Sequence, residues 1–294
     1  MLTIRLPQIF RIHQVPRIFW EEGIISGYRH PKSSALDCVL SSFQLNNETV
    51  NIWTHFLPTW YFLWRFVMLS YRLDLWADTY SWPFLAYMSL VCLYPFTSSC
   101  AHTFSTMSTH ARHICYFLDY NALSLYSLGC AFTYGAYAMP DRWVNSLGHH
   151  YFVPMAAINS LICTSLSCYS RFLELEWPRW SKAARMAAFV YPFFFDNIPL
   201  FFRYCHSHQL FHICAVVGTH FQLEAILGDL NSRRTWLSAH TPPGMFTHTF
   251  AILGATMLGN LALFSAFAMA LFRLPASIRI LQGGLPESEG AKEK

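Results

Sequence analysis

Long apolar stretches dominate the chain, and short polar or charged segments separate them. Seven of these stretches approach or exceed the length of about 20 residues that a helix needs to cross the hydrocarbon layer of a membrane. They occupy residues 52–69, 82–103, 114–137, 151–170, 183–202, 205–227 and 245–272. The pattern therefore predicts an all-α fold, a polytopic transmembrane helical bundle of about seven spans. It divides the chain into an N-terminal region 1–50 with a short interfacial helix, the bundle 51–272, and a polar tail 273–294.

Composition supports a membrane protein and excludes several other classes. Charged residues make up 12% of the chain and hydrophobic residues 54%, whereas soluble domains are about 25% charged. A net charge of +4 with no basic patch argues against a nucleic-acid-binding protein. The nine cysteines show no CxxC spacing, which argues against a disulfide framework.

The distribution of Lys and Arg predicts the orientation of the bundle. Basic residues are concentrated in the N-terminal region and in the loop 171–185. Four spans separate these two segments, so both lie on one side, and the side richer in Lys and Arg is normally cytoplasmic. The N-terminus is therefore predicted to be cytoplasmic. His102, at the end of the second span, and Asp119, near the start of the third, then lie at the cytoplasmic ends of their helices.

A group of histidines at the head of the sixth span predicts a metal site. His208 and His212 are four residues apart, so a helix would place both imidazoles on one face, at a separation that suits two nitrogen ligands of Zn²⁺. His102 could supply a third ligand, and Asp119 could orient a zinc-bound water. The simpler alternatives are helical histidines satisfied by neighbours, an interfacial His102, and a helix N-terminal carboxylate at Asp119. Ionisable residues inside membrane spans are nevertheless functional candidates.

Three motifs together resemble the progestin and adipoQ receptor family, over about residues 14–272. They are Glu48-Thr-Val-Asn51-Ile-Trp-Thr-His55, then Ser98-x-x-x-His102 with Asp119 seventeen residues further on, and Ser207-His208-Gln-x-x-His212. The segment Gly27-Tyr-Arg-x-Pro and the additional span at 245–272 look like the membrane progestin receptor branch of this family, its gamma form in particular.

The resemblance implies a function and a site. It implies a multi-pass plasma-membrane receptor that binds progesterone or a related steroid and signals through an inhibitory G protein. It also implies a zinc site of His102, His208 and His212, with Ser98 and Asp119 beside the water. In the related adiponectin receptors and the similar alkaline ceramidases, that site is linked to amide hydrolysis of ceramide.

Two other functions stay open beside the receptor. A zinc-dependent, ceramidase-like hydrolase would use the same three-His site. A channel or transporter is disfavoured because few charges lie in mid-span and the chain shows no inverted repeat.

The sequence departs from the family pattern at one place. Family members have a further span between the fifth helix and the Ser-His-Gln helix, whereas here Pro199-Leu-Phe-Phe-Arg203 runs directly into Tyr204-Cys-His. With one span missing, the motif with His208 and His212 would begin at the outer surface, about 30 Å from His102. We therefore expect that a correctly inserted chain cannot close the three-His site, and that this form is poorly folded or inactive in cells. Two alternatives remain. The fifth helix could fail to cross the membrane, which would place Arg233-Arg234 outside against the usual bias, or the His-containing helix could take its family position with a strained link or groove beside it.

Overall fold

The structure, a computed structural model, describes residues 6–21, 24–174, 176–196, 211–241, 244 and 246–273; of residues 211–217 it describes the backbone only. Three helical segments are long and apolar enough to cross a membrane by length and composition: Thr79–Phe104, Leu147–Phe172 and His248–Arg273. Together with the further long helices, they confirm the predicted all-α transmembrane bundle.

The α-helices of the described residues run in chain order. They are α1 (Ala35–Ser41), α2 (Thr49–Ser70), α3 (Trp82–Phe104), α4 (Thr109–Thr133), α5 (Leu147–Phe172), α6 (Pro178–Asp196), α7 (Phe211–Ser232), α8 (Arg234–His240) and α9 (His248–Arg273). A π-helical turn, Tyr134–Ala138, extends α4. Because α4 begins at Thr109, Asp119 lies inside the helix, and the helix N-terminal alternative for this carboxylate is wrong.

The N-terminal region folds against one end of the bundle. Strands β1 (Ile9–Arg11) and β2 (Ser26–Arg29) pair antiparallel, a feature that the sequence analysis did not anticipate. In the segment predicted to be an interfacial helix, the described residues contain a three-residue 3-10 helix, Arg17–Phe19. Phe19 is buried in a small apolar cluster with Val15, Ile18 and Tyr28, so its ring does not extend towards a membrane surface.

Helices α2 to α6 alternate in direction, and short turns connect the successive ends. One end of the bundle holds Glu48, His102, Thr109 and Phe172, and we call it the Glu48 end. The opposite end holds Ser70, Tyr80, Tyr134 and Leu147, and we call it the Tyr80 end. The main apolar core extends from mid-bundle to the Tyr80 end, and Phe62, Phe84, Tyr87 and Tyr137 are among its fully buried side chains.

Helix α7 runs in the same direction as α6. Near the middle of α2, the Tyr61 hydroxyl lies 2.6 Å from His220 Nδ1, and one turn later Arg65 pairs with Glu224. Because position numbers rise together on both helices, α7 is parallel to α2 and proceeds towards the Tyr80 end. Helix α6 also runs towards that end, since Ser181 bonds to Ser170 at its start. The helix that contains His212 therefore begins towards the Glu48 end, where His102 lies, and not at the opposite end, as was expected for a correctly inserted chain with one span fewer.

Helix α9 packs on α4 and α5 and returns to the Glu48 end. The Asn121 side-chain amide donates to the Asn260 carbonyl over 3.2 Å, and the Asn260 amide donates to Ser160 Oγ over 3.2 Å. Gly259 permits the close approach, because a Cβ at this position would lie 2.8 Å from Leu161 Cδ2. At the end of the helix, Phe272 stacks on His110 with ring centroids 5.1 Å apart.

Candidate functional site

His102 is held in place by a carboxylate from α2. Its Nδ1 donates to Glu48 Oε2 over 2.9 Å, and Asn51 Nδ2 donates to the same oxygen over 2.9 Å. Burial alone would raise the pKa of Glu48, but the hydrogen bonds from His102 and Asn51 outweigh it and lower that pKa to about 2. Glu48 is therefore a buried, ionised acceptor that fixes the orientation of the His102 ring and leaves Nε2 as the nitrogen for another partner.

Other residues of the motifs meet at the same point. Residues 48, 51 and 55 share one face of α2, at helical spacings of three and four. His55 stacks on His102 with ring centroids 6.4 Å apart and an interplanar angle of 18°. Ser98, one turn before His102 on α3, is buried. Asp119 on α4 is near enough to His102 to interact with it electrostatically. The structure thus brings the described candidates Ser98, His102 and Asp119 into one region at the Glu48 end.

Arg29, from the Gly27-Tyr-Arg segment, closes the C-terminal end of α3. It donates to the carbonyl oxygens of Thr103 and His102, over 2.6 Å in each case, and to Ser105 Oγ over 3.3 Å. The last carbonyl groups of a helix have no hydrogen-bond donor within the helix, and a buried guanidinium supplies one. Its positive charge also interacts favourably with the negative end of the helix dipole. The N-terminal hairpin therefore supports the turn of α3 on which His102 sits.

The structure describes the remaining candidate metal ligands only in part. His208 lies outside the described residues, and His212 belongs to α7 but its side chain is not described. Among the described side chains, no three His, Cys, Asp or Glu residues are grouped closely enough to hold a metal ion. His102 itself fits a zinc ligand, because histidine ligands of zinc usually donate their other ring nitrogen to a carboxylate, as His102 does to Glu48.

A second polar network, not foreseen from the sequence, lies deeper in the bundle. The Tyr126 hydroxyl on α4 donates to Gln222 Oε1 on α7 over 2.8 Å and lies 3.1 Å from Thr219 Oγ1. Gln222 Nε2 donates to Cys130 Sγ over 3.1 Å, and the rings of Tyr94 and Tyr126 are 4.5 Å apart. Because its hydroxyl and amide groups lie on three different helices, no local sequence pattern could have indicated this network.

Asp196, at the end of α6, is buried and faces the bundle interior. One carboxylate oxygen accepts a hydrogen bond from Ser127 on α4. Within the described residues the other oxygen, Oδ1, has no hydrogen-bond partner. Asp196 therefore places an incompletely satisfied carboxyl group in the half of the bundle that lies towards the Tyr80 end.

Comparison with known proteins places the chain in a family. The haemolysin-III-related family matches residues 43–206, more than half of the chain. The chain belongs to this family. It is 54% identical to membrane progestin receptor delta of Mus musculus and 52% identical to that of Homo sapiens, in both cases over 100% of this chain and 99% of the relative. The resemblance to the progestin and adipoQ receptors is confirmed, and the protein is a multi-pass membrane protein.

The relatives bear on two predictions, the likeness to the gamma form and the missing span. Membrane progestin receptor gamma of Mus musculus is 45% identical over 94% of this chain and 97% of the relative, so the particular likeness to the gamma form is not supported. The alignment with the Mus musculus delta receptor extends over 346 positions, whereas this chain has 294 residues. At least 52 aligned positions, the difference between these numbers, therefore have no residue in this chain.

Proposed function

We propose that the protein is a steroid receptor of the membrane progestin receptor type, with progesterone or a related steroid as its ligand. The observation that carries this proposal is similarity over the whole chain to proteins named membrane progestin receptors. The bundle interior is compatible with it, because sites for small apolar ligands combine apolar walls with a few placed polar groups. The Tyr126–Gln222 network and Asp196 are polar groups of this kind inside an apolar core.

Equilibrium binding tests the receptor proposal directly. The purified chain in lipid nanodiscs should bind tritiated progesterone saturably, and excess unlabelled progesterone should displace it while cholesterol should not. The Mus musculus delta receptor, prepared in the same way, serves as the positive control. Saturable binding to that control but none to this chain would refute the proposal.

Coupling to an inhibitory G protein, location in the plasma membrane and a cytoplasmic N-terminus belong to the same proposal. The basic N-terminal region and the basic loop 171–185 support this orientation through the positive-inside rule. In cells that express the chain, progesterone should lower cyclic AMP, and pertussis toxin should abolish the effect. A surface-labelling experiment with epitope tags at residue 1 should detect the tag only after the cells are permeabilised.

A second candidate function, zinc-dependent hydrolysis of a lipid amide such as ceramide, rests on the geometry around His102. Zn²⁺ held by His102, His208 and His212 would activate a water molecule for attack on an amide carbonyl. Glu48 would orient the His102 ring, while Asp119 and Ser98 would position the water and accept or return its proton.

Metal analysis separates the two candidates. The wild-type chain should retain zinc at about one ion per chain, and His102→Ala should lose it because one of three nitrogen ligands is removed. His150→Ala, an exposed histidine at the Tyr80 end, is the matched control. A receptor alone should still bind steroid after chelation, whereas a hydrolase should lose ceramide turnover together with the metal. Equal zinc content in wild type and His102→Ala would show that His102 is not a ligand.

The connection between α6 and α7 restricts how this site can assemble in a membrane. Both helices run towards the Tyr80 end, so Asp196, at the end of α6, and Phe211, at the start of α7, lie towards opposite ends of the bundle. Fourteen residues separate these two positions, and as a helix they would extend only about 21 Å, less than the hydrocarbon thickness of about 30 Å. A longer, extended conformation would leave backbone groups unsatisfied in lipid. We therefore propose that the parallel arrangement of α7 competes with an inverted one, in which Arg233 and Arg234 lie at the Glu48 end.

A further inference from the structure

Two buried guanidinium groups lie against one tyrosine ring at the Glu48 end. The Arg171 guanidinium carbon is 4.6 Å from the centroid of the Tyr116 ring, and that of Arg112 is 5.1 Å from it. The Arg171 and Arg112 side chains are 3% and 4% exposed, so neither charge is well hydrated. Burying a charge is costly unless it is paired and hydrogen-bonded, which makes the partners of these two groups informative.

One edge of the Arg171 guanidinium makes no hydrogen bond to a described residue. Nη1 pairs with Glu174 Oε2 over 2.6 Å. Nε and Nη2 are both buried, and among the residues that the structure describes neither has a hydrogen-bond partner. The N–H groups of Nε and Nη2 point in the same direction, and this edge binds carboxylate and phosphate in a bidentate manner. A buried guanidinium edge without a described partner has the donor geometry that suits an anionic group.

Two further donors lie in the same region of the bundle. Arg112 bonds to Glu21 over 2.5 Å, but its Nε is buried and has no partner within the described part of the chain. His113, next to Arg112 on α4, is 2% exposed, and neither of its ring nitrogens is hydrogen-bonded to a described residue. His113 is electrostatically coupled to both Arg171 and Arg112. Because a neutral imidazole always carries one N–H, His113 can add a donor to those of the two arginines.

The carboxylates paired with these arginines do not use all of their donors. Glu21 pairs with Arg112 and Glu174 with Arg171, and the two carboxylate side chains are 42% and 35% exposed. Glu48 accepts from His102 and Asn51 instead. Arg185, which lies 3.8 Å from Glu174 and within reach of Ser170 and Ser181, adds another positive charge. The region therefore contains buried positive charges whose hydrogen-bond donors are not all used by described residues.

We propose that Arg171, Arg112 and His113 bind one phosphate group, delivered either by an anionic lipid or as a free phosphate. A tetrahedral phosphate has oxygens for the two donors of Arg171 and for the separate donors of Arg112 and His113, whereas a planar carboxylate would use only part of this set. Phe172 and Phe267 are partly buried and pack against the fully buried Phe117 and Leu271, and acyl chains of a lipid can lie against the exposed surface that these two rings retain. Basic pockets between helix ends are known to recognise lipid headgroups.

The site is separate from the region around His102 and does not depend on the proposed receptor function. Tyr116 lies between them: its ring centroid is 5.8 Å from that of His102, and its ring also supports both guanidiniums. An occupied phosphate site would therefore fix the ring that borders His102. The alternative is that buried water molecules hydrogen-bond to these donors and no phosphate binds, and the experiment must exclude it.

Lipid retention provides the test. The purified full chain is reconstituted in nanodiscs of phosphatidylcholine with 10 mol% phosphatidic acid (about one lipid in ten), and the retained lipid is counted by native mass spectrometry. We expect about one phosphatidic acid per chain, and Arg171→Gln should reduce this retention at least tenfold, in line with loss of a bidentate charged contact. Arg179→Gln is the matched control, because Arg179 is exposed in the same basic region and its loss changes the net charge equally. Arg171→Lys, which keeps the charge but not the fork, should give an intermediate result.

A thermal-stability measurement distinguishes the two sources of phosphate and covers variants that fold poorly. In pure phosphatidylcholine nanodiscs, the melting temperature of wild type is compared in phosphate and in chloride at equal ionic strength. A rise with inorganic phosphate together with phosphatidic acid retention supports a general phosphate site, and retention without that rise supports a lipid headgroup site. If wild type prefers neither phosphatidic acid nor phosphate, or if Arg179→Gln loses as much retention as Arg171→Gln, the proposal is wrong.

Discussion

The two ends of the bundle use buried polar groups in different ways. At the Tyr80 end, side chains bond mainly to backbone carbonyls: Tyr80 donates to the Leu230 carbonyl over 3.0 Å, Tyr137 donates to the Tyr80 carbonyl, and Arg233 donates to the Met139 carbonyl over 2.8 Å. At the Glu48 end, charged side chains are buried and several of their donors, as at Arg171, have no partner in the parts of the chain that the structure describes. The first arrangement satisfies backbone groups and holds α7 in place, whereas the second leaves charged groups available.

This difference indicates that the Glu48 end retains destabilising buried charges because they serve a function. Replacing a buried charge by an apolar residue often stabilises a protein, so a chain that retains several of them at one end has another reason to do so. The candidate residues Ser98, His102 and Asp119 and the proposed phosphate site all lie at the Glu48 end. The Tyr80 end, in contrast, is predicted to act as a structural clamp.

The largest expected effect concerns that clamp, because the inverted arrangement of α7 would abolish it completely. Arg234 pairs with Asp78 over 2.7 Å at the Tyr80 end. A chain with Asp78→Cys and Arg234→Cys should therefore be cross-linked by a short bis-maleimide when α7 is parallel to α2. The product is detected by electrophoresis after cleavage of the loop between the two positions.

The opposite end of the bundle supplies the control for the cross-link. A chain with Asp78→Cys and Arg179→Cys should not be cross-linked, because Arg179 lies at the start of α6 and thus at the Glu48 end. If Arg234→Cys is instead labelled from the same side as a cysteine at Arg179, α7 is inverted in the membrane. Both products in one preparation would indicate the proposed competition between the two arrangements.

At the Glu48 end, the largest loss of stability is expected from Arg29→Ala. The substitution leaves the carbonyls of His102 and Thr103 buried without their charged donor, which should cost about 3 kcal/mol of the free energy of unfolding. Arg72→Ala, at an exposed position near the end of α2, should cost almost nothing. Thermal unfolding in detergent compares the two, and equal melting temperatures would contradict the role of Arg29 as a cap for α3.

The sequence predicted the fold better than it predicted the contacts at this end. Apolar stretches of about 20 residues indicate spans because a membrane leaves few alternatives for the backbone, so the all-α bundle followed directly. The motif with Ser98, His102 and Asp119 also indicated residues that the structure brings together. The role of Glu48 was missed, although the spacing of residues 48, 51 and 55 on one helix face was a signal for it. Arg29 and Arg171 could not be placed, because their partners are distant in sequence and depend on how the helices pack.

A smaller effect is expected at Asp196, in the half of the bundle towards the Tyr80 end. Asp196→Ala removes the acceptor of the Ser127 hydroxyl and should lower stability by about 1 kcal/mol, the value of one buried hydrogen bond. Asp196→Asn keeps an acceptor oxygen without a charge and should restore the folded yield, as measured by fluorescence-detection size-exclusion chromatography. If Asp196→Asn folds normally but binds no steroid, this carboxyl group belongs to the ligand site. The half of the bundle towards the Tyr80 end then takes part in ligand binding as well as in stability.

The smallest expected effect is in the middle of the bundle, where α2 holds α7 between the two ends. The Tyr61 hydroxyl lies 2.6 Å from His220 Nδ1, and both side chains are only partly buried. Interhelical hydrogen bonds in membranes contribute about 0.6 kcal/mol on average, because the separated helices also find polar partners. Tyr61→Phe should therefore lower stability by about that amount, and in a double-mutant cycle the same substitution should have no further effect in a His220→Phe background. A coupling free energy near zero would show that α7 does not contact α2 in this register. The arrangement of α7 would then depend on the clamp at the Tyr80 end alone.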